Sequence, residues 1–162
     1  MNMKVKFLAA SGIIAALYIA VTMLITPFGF TEVQFRVSEM LNHLVAFNPR
    51  FAVGIIIGVF IANLNSPLGP YDLVFGVGQT MITLGLLILI CKFVKNIWAR
   101  LIINTFLFTF TMFIIAFELN LALELPFLWT WLTCAAGEFV VMAVGAPIMN
   151  MLNKRLNFKN MM

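Results

Sequence analysis

Charged side chains are scarce in this sequence. Only 10% of the 162 residues are Asp, Glu, Lys or Arg, against about a quarter in soluble domains. Hydrophobic residues make up 63% of the chain, and the mean hydropathy is +1.06. These values exclude an ordinary soluble protein. They indicate an integral membrane protein with one domain, residues 1–162, and almost no part outside the bilayer.

The residues and motifs that many enzymes use are also missing. The sequence has one histidine, His43, and its two cysteines, Cys91 and Cys134, lie inside apolar segments without disulfide or metal spacing. It contains no Gly-x-x-x-x-Gly-Lys-Ser/Thr loop for ATP and no Ser/His/Asp, His-Glu-x-x-His or Cys-x-x-Cys set. The basic residues are spread along the chain, which argues against nucleic-acid binding. We therefore predict a protein that is not an enzyme and that needs no metal or cofactor.

Turn and charge signals divide the apolar sequence into six predicted helices. They are Phe7–Thr26, Val33–Phe47, Phe51–Ala62, Asp72–Cys91, Leu101–Phe117 and a last helix from near Pro126 to about Leu152. A turn-rich loop, a basic connection and an acidic loop are predicted at Asn63–Tyr71, Lys92–Arg100 and Glu118–Glu124. The expected fold class is an all-α membrane bundle of six transmembrane helices, of which the second and third are short.

The distribution of basic residues predicts the orientation of the chain. With six spans and both termini cytoplasmic, nine of the ten basic residues fall on the cytoplasmic side of the cell membrane, as the positive-inside rule requires. They are Lys4, Lys6, Arg50, Lys92, Lys95, Arg100, Lys154, Arg155 and Lys159. Four acidic residues fall at the outer face: Glu32, Asp72, Glu118 and Glu124.

The predicted second helix, Val33–Phe47, carries an unusual set of polar residues. Arg36, Glu39 and His43 have a spacing that places them on one helix face. A charged stripe is costly in lipid unless it faces protein or water inside a bundle. An amphipathic loop at the membrane surface is the alternative. We interpret the segment as a helix that lines a solute site, with His43 as a hydrogen-bonded partner of a neighbouring helix.

Polar residues in other predicted helices lie at comparable depths. At a rise of 1.5 Å per residue, Glu39 and Gln79 are expected roughly 10 Å below the outer face, and Glu138 roughly 18 Å below it. Asp72 and Glu118 are expected at the rim of the same site. The alternatives are that Glu39 only pairs with Arg36 and that Glu138 is a carboxylate satisfied within the bundle.

An acidic site of this kind selects for a particular type of solute. Carboxylates accept hydrogen bonds and attract cations, so a planar heterocycle with N–H donors or an attached amine suits them. Tyr71, Trp129 and Trp131 are expected near the outer face, where they could stack on such a ring. The alternative for the tryptophans is an aromatic belt at the membrane interface.

Two helices carry small residues at intervals of four: Gly12, Ala16 and Ala20 on the first, and Gly54, Gly58 and Ala62 on the third. Small residues at this spacing let helices approach closely in lipid. We interpret the stripe on the third helix as packing within the monomer. The stripe on the first helix is interpreted as a docking face for another membrane subunit, with internal packing as the alternative.

Several short motifs resemble those of the queuosine-precursor transporter family (QueT), and the resemblance runs nearly end to end. The segment QFRVSE, residues 34–39, resembles the family motif FR-x-SE. The segment GPYD, residues 69–72, followed by Phe75 and Gly76, resembles the family segment GP-x-D. Glu118-Leu119 and Gly137-Glu138 resemble the acids of the family's outer loop and last helix.

The resemblance implies a substrate-binding S-component of an energy-coupling factor (ECF) transporter. Such a subunit captures a deazaguanine base, such as prequeuosine base or queuine, outside the cell. A shared module of one ECF membrane scaffold subunit and two ATPase subunits then drives import. The residues that we expect to bind substrate are Glu39, Glu138, Arg36, Asp72, Gln79, Glu118 and Tyr71, and those expected to dock the partner are Gly12, Ala16 and Ala20.

Two other functions are compatible with the sequence. A stand-alone secondary transporter could use Glu39 or Glu138 as a proton carrier, and uptake that survives loss of the ATPases would favour it. A structural or assembly subunit would bind no solute, and it would show no thermal stabilisation by purine-like compounds.

Overall fold

Six α-helices make up most of the part of the chain that this computed structural model describes, residues 3–25 and 36–161. They are α1 (Met3–Leu24), α2 (Leu44–Phe47), α3 (Phe51–Asn63), α4 (Pro70–Cys91), α5 (Ile97–Leu123) and α6 (Phe127–Leu156). A 3₁₀ segment, Val37–His43, leads directly into α2, and a 3₁₀ turn, Phe158–Asn160, follows α6. No strand occurs within the described ranges, so the predicted all-α class is confirmed for them.

Four of these helices are long and apolar enough to cross a bilayer: α1, α4, α5 and α6. They contain 22, 22, 27 and 30 residues, and a crossing needs about 20. The helix α3 has 13 residues, so it is only about 20 Å long and shorter than the hydrocarbon core. The predicted membrane bundle is therefore supported through four spanning helices, and helix length alone does not establish six.

The region predicted as the second helix, Val33–Phe47, is not one continuous α-helix in the structure. Its expected start, Val33, lies outside the described residues, as do Thr26 and Glu32. From Val37 to His43 the backbone is 3₁₀-helical, and three residues per turn align side chains at intervals of three. Asn42 therefore lies on the same face of the 3₁₀ helix as Glu39, and His43 lies on a different face. The prediction that His43 shares a face with Arg36 and Glu39 is wrong for this reason.

The two expected acidic rim positions are also placed differently. Pro70 occupies the first turn of α4, where its missing N–H costs nothing, so Asp72 lies inside the helix. The helix α5 continues past Phe117 to Leu123 and includes Glu118. It ends where Glu124 adopts a left-handed φ of 57°, a usual helix-terminating conformation. The predicted acidic loop at Glu118–Glu124 is therefore wrong, because the helix runs through it to Leu123 with Glu118 buried.

The helices α1 and α3 pack closely through glycines of α3. A Cβ atom on Gly54 would lie 2.7 Å from the backbone oxygen of Ser11, and one on Gly58 would lie 2.8 Å from Cβ of Tyr18. Ala62 is buried as well. The predicted monomer packing of the third-helix stripe is confirmed.

The same contacts show that α1 and α3 run parallel, because Gly54 faces Ser11 and Gly58 faces Tyr18. The start of α1 therefore lies at the same end of the bundle as Arg50, at the start of α3. The end of α4, the start of α5 and the end of α6 belong to this end too. We call it the basic end, and it carries Lys4, Lys6, Arg50, Lys92, Lys95, Arg100, Lys154, Arg155 and Lys159.

The α1–α3 contact predicts a difference between two glycines. We expect Gly54→Ala to lower the free energy of unfolding by about 1–3 kcal/mol relative to Gly12→Ala, because a Cβ at Gly12 meets no atom within 4 Å. Both changes give the same gain in helix propensity, so their difference reports overpacking alone. Thermal unfolding in detergent measures it, and equal stability of the two variants would contradict this packing.

Candidate functional site

Side chains from the 3₁₀ segment, α4, α5 and α6 meet around a small space in the interior. Its volume is about 10 Å³, and it is lined by Arg36, Glu39, Gln79, Met112, Ile115 and Glu138. All four polar lining residues are buried, and the space is about the size of one water molecule. The structure thus brings together four of the residues that the sequence singled out: Arg36 directly before the 3₁₀ segment, Glu39 in it, Gln79 on α4 and Glu138 on α6.

Glu39 is held in this position by two hydrogen bonds. The Tyr18 hydroxyl on α1 donates to its Oε1 at 2.5 Å, and the Asn42 amide donates to Oε2. A further bond joins the same two elements, since the hydroxyl of Thr22 donates to that of Ser38 at 2.8 Å. The helix α1 therefore fixes the 3₁₀ segment.

Arg36 forms its ion pair with Asp72 rather than serving only as a partner of Glu39. Its Nη2 lies 3.3 Å from Asp72 Oδ1. Ser66 donates to the other carboxylate oxygen of Asp72, and Asn63 donates to its backbone carbonyl at 2.9 Å. Asp72 is only 1% exposed, so protein encloses it, and it supports the site by pairing with Arg36.

Close packing holds this support in place. A Cβ atom on Gly76 would lie 2.6 Å from Asn63 Nδ2 and 3.8 Å from Arg36 Nη1. A side chain at this position would displace the Asn63 amide, which donates to the Asp72 carbonyl, whereas Arg36 would be in ordinary van der Waals contact with it. The sequence-based resemblance included Gly76 without indicating this reason.

Glu118 joins the same group of charges. It is fully buried on α5, and both the Asp72 carboxylate and the Arg36 guanidinium act on it electrostatically. We call Arg36, Glu39, Asp72, Glu118 and Glu138 the charge cluster. Its described members are four carboxyl groups and one guanidinium. Because buried charges are costly unless they are compensated, the cluster requires protons or a ligand that is cationic or rich in N–H donors.

Glu138 has the clearest capacity to bind something. It is 1% exposed, and its Oε1 accepts no hydrogen bond from any residue in the described ranges. Buried polar atoms in proteins are nearly always paired. The alternative that Glu138 is a satisfied carboxylate within the bundle does not account for this oxygen, which can accept an N–H from a solute.

Gln79 belongs to a network that the sequence did not reveal. Its amide donates to Thr111 Oγ1 at 2.9 Å, and the hydroxyls of Thr111 and Thr83 lie 2.9 Å apart. Thr83 also donates to the backbone oxygen of Gln79 at 2.7 Å. The threonines therefore orient the Gln79 side chain. Sequence reasoning missed seven residues of this site and its supports: Tyr18, Asn42, Asn63, Thr83, Thr111, Met112 and Ile115. The five polar ones stand in apolar surroundings, but nothing in the sequence indicates their partners, and the two apolar ones carry no signal.

The aromatic residues expected to stack on a solute lie elsewhere. Tyr71 is 45% exposed and Trp129 is 67% exposed. Trp131 packs against Phe110, with ring centroids 5.8 Å apart, and donates to the Phe110 carbonyl at 3.3 Å. None of the three lines the central space. Their positions agree with the alternative of an interfacial aromatic belt.

His43 has a structural environment. Its Nε2 lies 2.9 Å from the Met142 carbonyl, and its Nδ1 lies 3.1 Å from the Asn104 amide nitrogen. Since a carbonyl accepts and an amide NH₂ donates, Nε2 carries the proton and Nδ1 accepts. The prediction that His43 is a hydrogen-bonded helix partner is confirmed.

Comparison with known proteins establishes the family. A family model described as QueT transporter matches residues 8–154. The chain belongs to the QueT transporter family. The protein called queuosine precursor transporter QueT from Lactococcus lactis subsp. cremoris (strain MG1363) is 37% identical over 154 residues, which cover 90% of each chain. No solved structure matches. The predicted resemblance is confirmed, and the chain is a multi-pass membrane transporter rather than an enzyme.

The bond between Tyr18 and Glu39 can be tested directly. We expect Tyr18→Phe to lower the free energy of unfolding by about 1–3 kcal/mol, because a buried carboxylate loses a donor. The matched control is Tyr71→Phe, at an exposed tyrosine, which should change stability by less than about 0.5 kcal/mol. Thermal unfolding of the two purified variants measures both effects, and equal stabilities would show that Tyr18 does not support Glu39.

Proposed function

We propose that this transporter captures a queuosine precursor, a deazaguanine base such as prequeuosine base or queuine, outside the cell. The observation that supports this most is the charge cluster, which combines four buried carboxyl groups with one described guanidinium and leaves Glu138 Oε1 without a described donor. Such a site suits a solute that supplies several N–H donors and a positive charge. The name of the Lactococcus relative points to the same class of solute.

The chemistry of the base matches two kinds of acceptor. One carboxylate can take two parallel N–H bonds from the amidine-like edge of a deazaguanine, and another can pair with an aminomethyl cation. We assign the N–H edge to Glu138 because it lines the central space and its Oε1 has no described donor. Arg36, Asp72 and Glu118 set the electrostatics around it, and Gln79 and Glu39 line the same space. Tyr71, although predicted as a ligand, has no place in this arrangement.

Binding must enlarge the site. A space of about 10 Å³ admits one water molecule and not a two-ring base. The lining residues that can move most easily are Met112 and Ile115, since their apolar side chains form no hydrogen bonds. Methionine in particular has three rotatable bonds and adapts to irregular shapes. We therefore expect solute entry to rearrange the wall formed by α5.

ATP-driven import by this chain requires ATPase subunits outside it. The sequence has no P-loop motif for ATP. We propose that it is the S-component of an ECF transporter, with a membrane scaffold subunit and two ATPase subunits as partners. Six membrane passes with both termini cytoplasmic are part of this proposal. The collection of basic residues at one end of the bundle supports that orientation.

The docking face that we propose for the scaffold subunit is the stripe on α1. Gly12, Ala16 and Ala20 are all exposed, and a Cβ at Gly12 would meet no atom within 4 Å. The opposite side of α1, with Ser11 and Tyr18, packs against α3. A partner helix could therefore approach the stripe closely without disturbing the monomer.

Proton-coupled transport is the second candidate. Its support is the same group of buried carboxyl groups, since ionisable residues inside a membrane often carry protons. The ECF proposal and this alternative differ in one measurable respect. Uptake of prequeuosine base in cells that lack the ATPase subunits would favour the proton-coupled transporter.

The role of the buried acids predicts a binding defect. We expect Glu138→Gln to weaken binding of prequeuosine base at least about tenfold, since losing one partner of a buried charged pair costs about 2–5 kcal/mol. Glu39→Gln should act in the same direction. The control is Glu124→Gln, at an exposed position, which should bind normally. Calorimetric titration in detergent measures all three, and unchanged affinity in both buried variants would remove these residues from the site.

The docking face predicts a separation of binding from transport. We expect Ala16→Leu combined with Ala20→Leu to leave solute binding intact but to abolish ATP-dependent uptake and co-purification with the scaffold subunit. Ala143→Leu, which makes the same type of change once at an exposed position on α6, is the control and should transport normally. Normal uptake in the double variant would refute docking. Lower thermal stability with lost binding would show instead that the stripe packs within the monomer.

A further inference from the structure

A second cavity, of about 470 Å³, lies at the basic end, away from the charge cluster. Phe47, Lys95, Ile97, Arg100, Asn153 and Lys159 line it. These residues come from α2, the α4–α5 connection, α5, α6 and the C-terminal tail. Segments far apart in the sequence therefore build one cavity, and neither the family comparison nor the proposed solute site gives it a role.

Three cationic side chains face this cavity, and no carboxyl group lines it. The acidic residues in the described ranges belong to the charge cluster or, like Glu124, to the opposite end of α5. The cavity also lies where α5 begins, so the positive end of that helix adds to its potential. Its electrostatic potential therefore favours an anion.

Arg100 makes the wall of the cavity rigid. Its guanidinium donates to the carbonyl oxygens of Val94, Ala46 and Cys91 at 2.6, 3.1 and 2.8 Å. These bonds tie α2 to the end of α4 and leave the Arg100 charge without a carboxylate partner in the described structure. Arg100 is thus both a structural link and a source of fixed positive charge.

The two lysines are placed by contacts of their own segments. The Asn48 amide donates to the Lys159 carbonyl at 3.3 Å. The ring of Phe158 lies 5.8 Å from that of Phe47 and 5.9 Å from that of Phe51, which fastens the tail to the bundle. On the other side, the Asn96 side chain accepts from the first N–H groups of α5 and sets the backbone next to Lys95. Both ammonium groups remain exposed and can turn toward a ligand.

The surroundings of the cavity indicate its depth in the membrane. Phe93 is 85% exposed, and Trp98 is 46% exposed, and both belong to the segment that carries Lys95. Aromatic side chains concentrate where hydrocarbon meets headgroups. Basic cavities between transmembrane helices at this level attract lipid phosphates.

We propose that this cavity binds the phosphate-bearing headgroup of an anionic phospholipid such as phosphatidylglycerol. Lys95 and Lys159 pair with the phosphate, the Arg100 charge stabilises it from the wall, and Asn153 offers a polar contact. The acyl chains extend along the exposed apolar surface of the bundle. This proposal does not depend on the identity of the transported solute.

The test uses native mass spectrometry to compare the binding of short-chain phosphatidylglycerol by matched variants of the full chain in detergent. We expect Lys95→Gln with Lys159→Gln to weaken binding at least about tenfold, since each cation near a lipid surface contributes roughly a fivefold gain. The control, Lys92→Gln with Lys154→Gln, removes two exposed charges from the same end. Its loss of phosphatidylglycerol binding should be several-fold smaller than that of the cavity variant. Lys95→Arg with Lys159→Arg should bind nearly as wild type does.

Three results would overturn the proposal. Equal weakening in the variant and its control would show general attraction to a basic surface. Equal binding of phosphatidylcholine would show that the cavity does not select anionic lipid. Equal thermal stabilisation by inorganic phosphate alone would assign the cavity to a small soluble anion and not to a lipid headgroup.

Discussion

The ion pair between Arg36 and Asp72 is the interaction on which the interior of this transporter depends. It joins Arg36, directly before the 3₁₀ segment, to α4 with a separation of 3.3 Å. Asp72 is held in turn by Ser66 and Asn63. Without this guanidinium, the carboxyl groups around it would face each other in a medium of low polarity. Because that arrangement is costly, the pair makes an acidic interior possible.

The helix α1 connects the solute site with the surface of the bundle. One side of it holds Glu39 through Tyr18 and packs on the glycines of α3. Its other side exposes the small residues proposed as the docking face. A single rigid helix thus lies between the solute site and the surface offered to a partner. Any shift of Glu39 on solute binding would act on α1 through a hydrogen bond of 2.5 Å.

Much of the site could be predicted from sequence because charged residues are so rare in this chain. Arg36, Glu39 and Glu138 stand out in apolar segments, where burial of charge requires a reason, and they do meet around one space. Tyr71 is expected there from sequence because it lies near the outer face, where it could stack on a planar solute. The first turn of α4 directs Asp72 inward and leaves Tyr71 exposed, and one residue along a helix corresponds to a rotation of about 100°.

The sequence by itself determined that the protein is a membrane bundle and that its basic residues collect at one end. Both follow from local properties, because span hydropathy and the positions of Lys and Arg act directly on insertion into a bilayer. The tertiary structure decided how the polar residues are partnered. Tyr18 and Thr111 look like ordinary members of apolar helices until packing brings them to Glu39 and Gln79. The 3₁₀ geometry that separates His43 from Glu39 likewise has no local signal. The side chains of Glu39 and His43 in this 3₁₀ segment bond to residues of α1, α5 and α6. Those contacts exist only once the helices have packed.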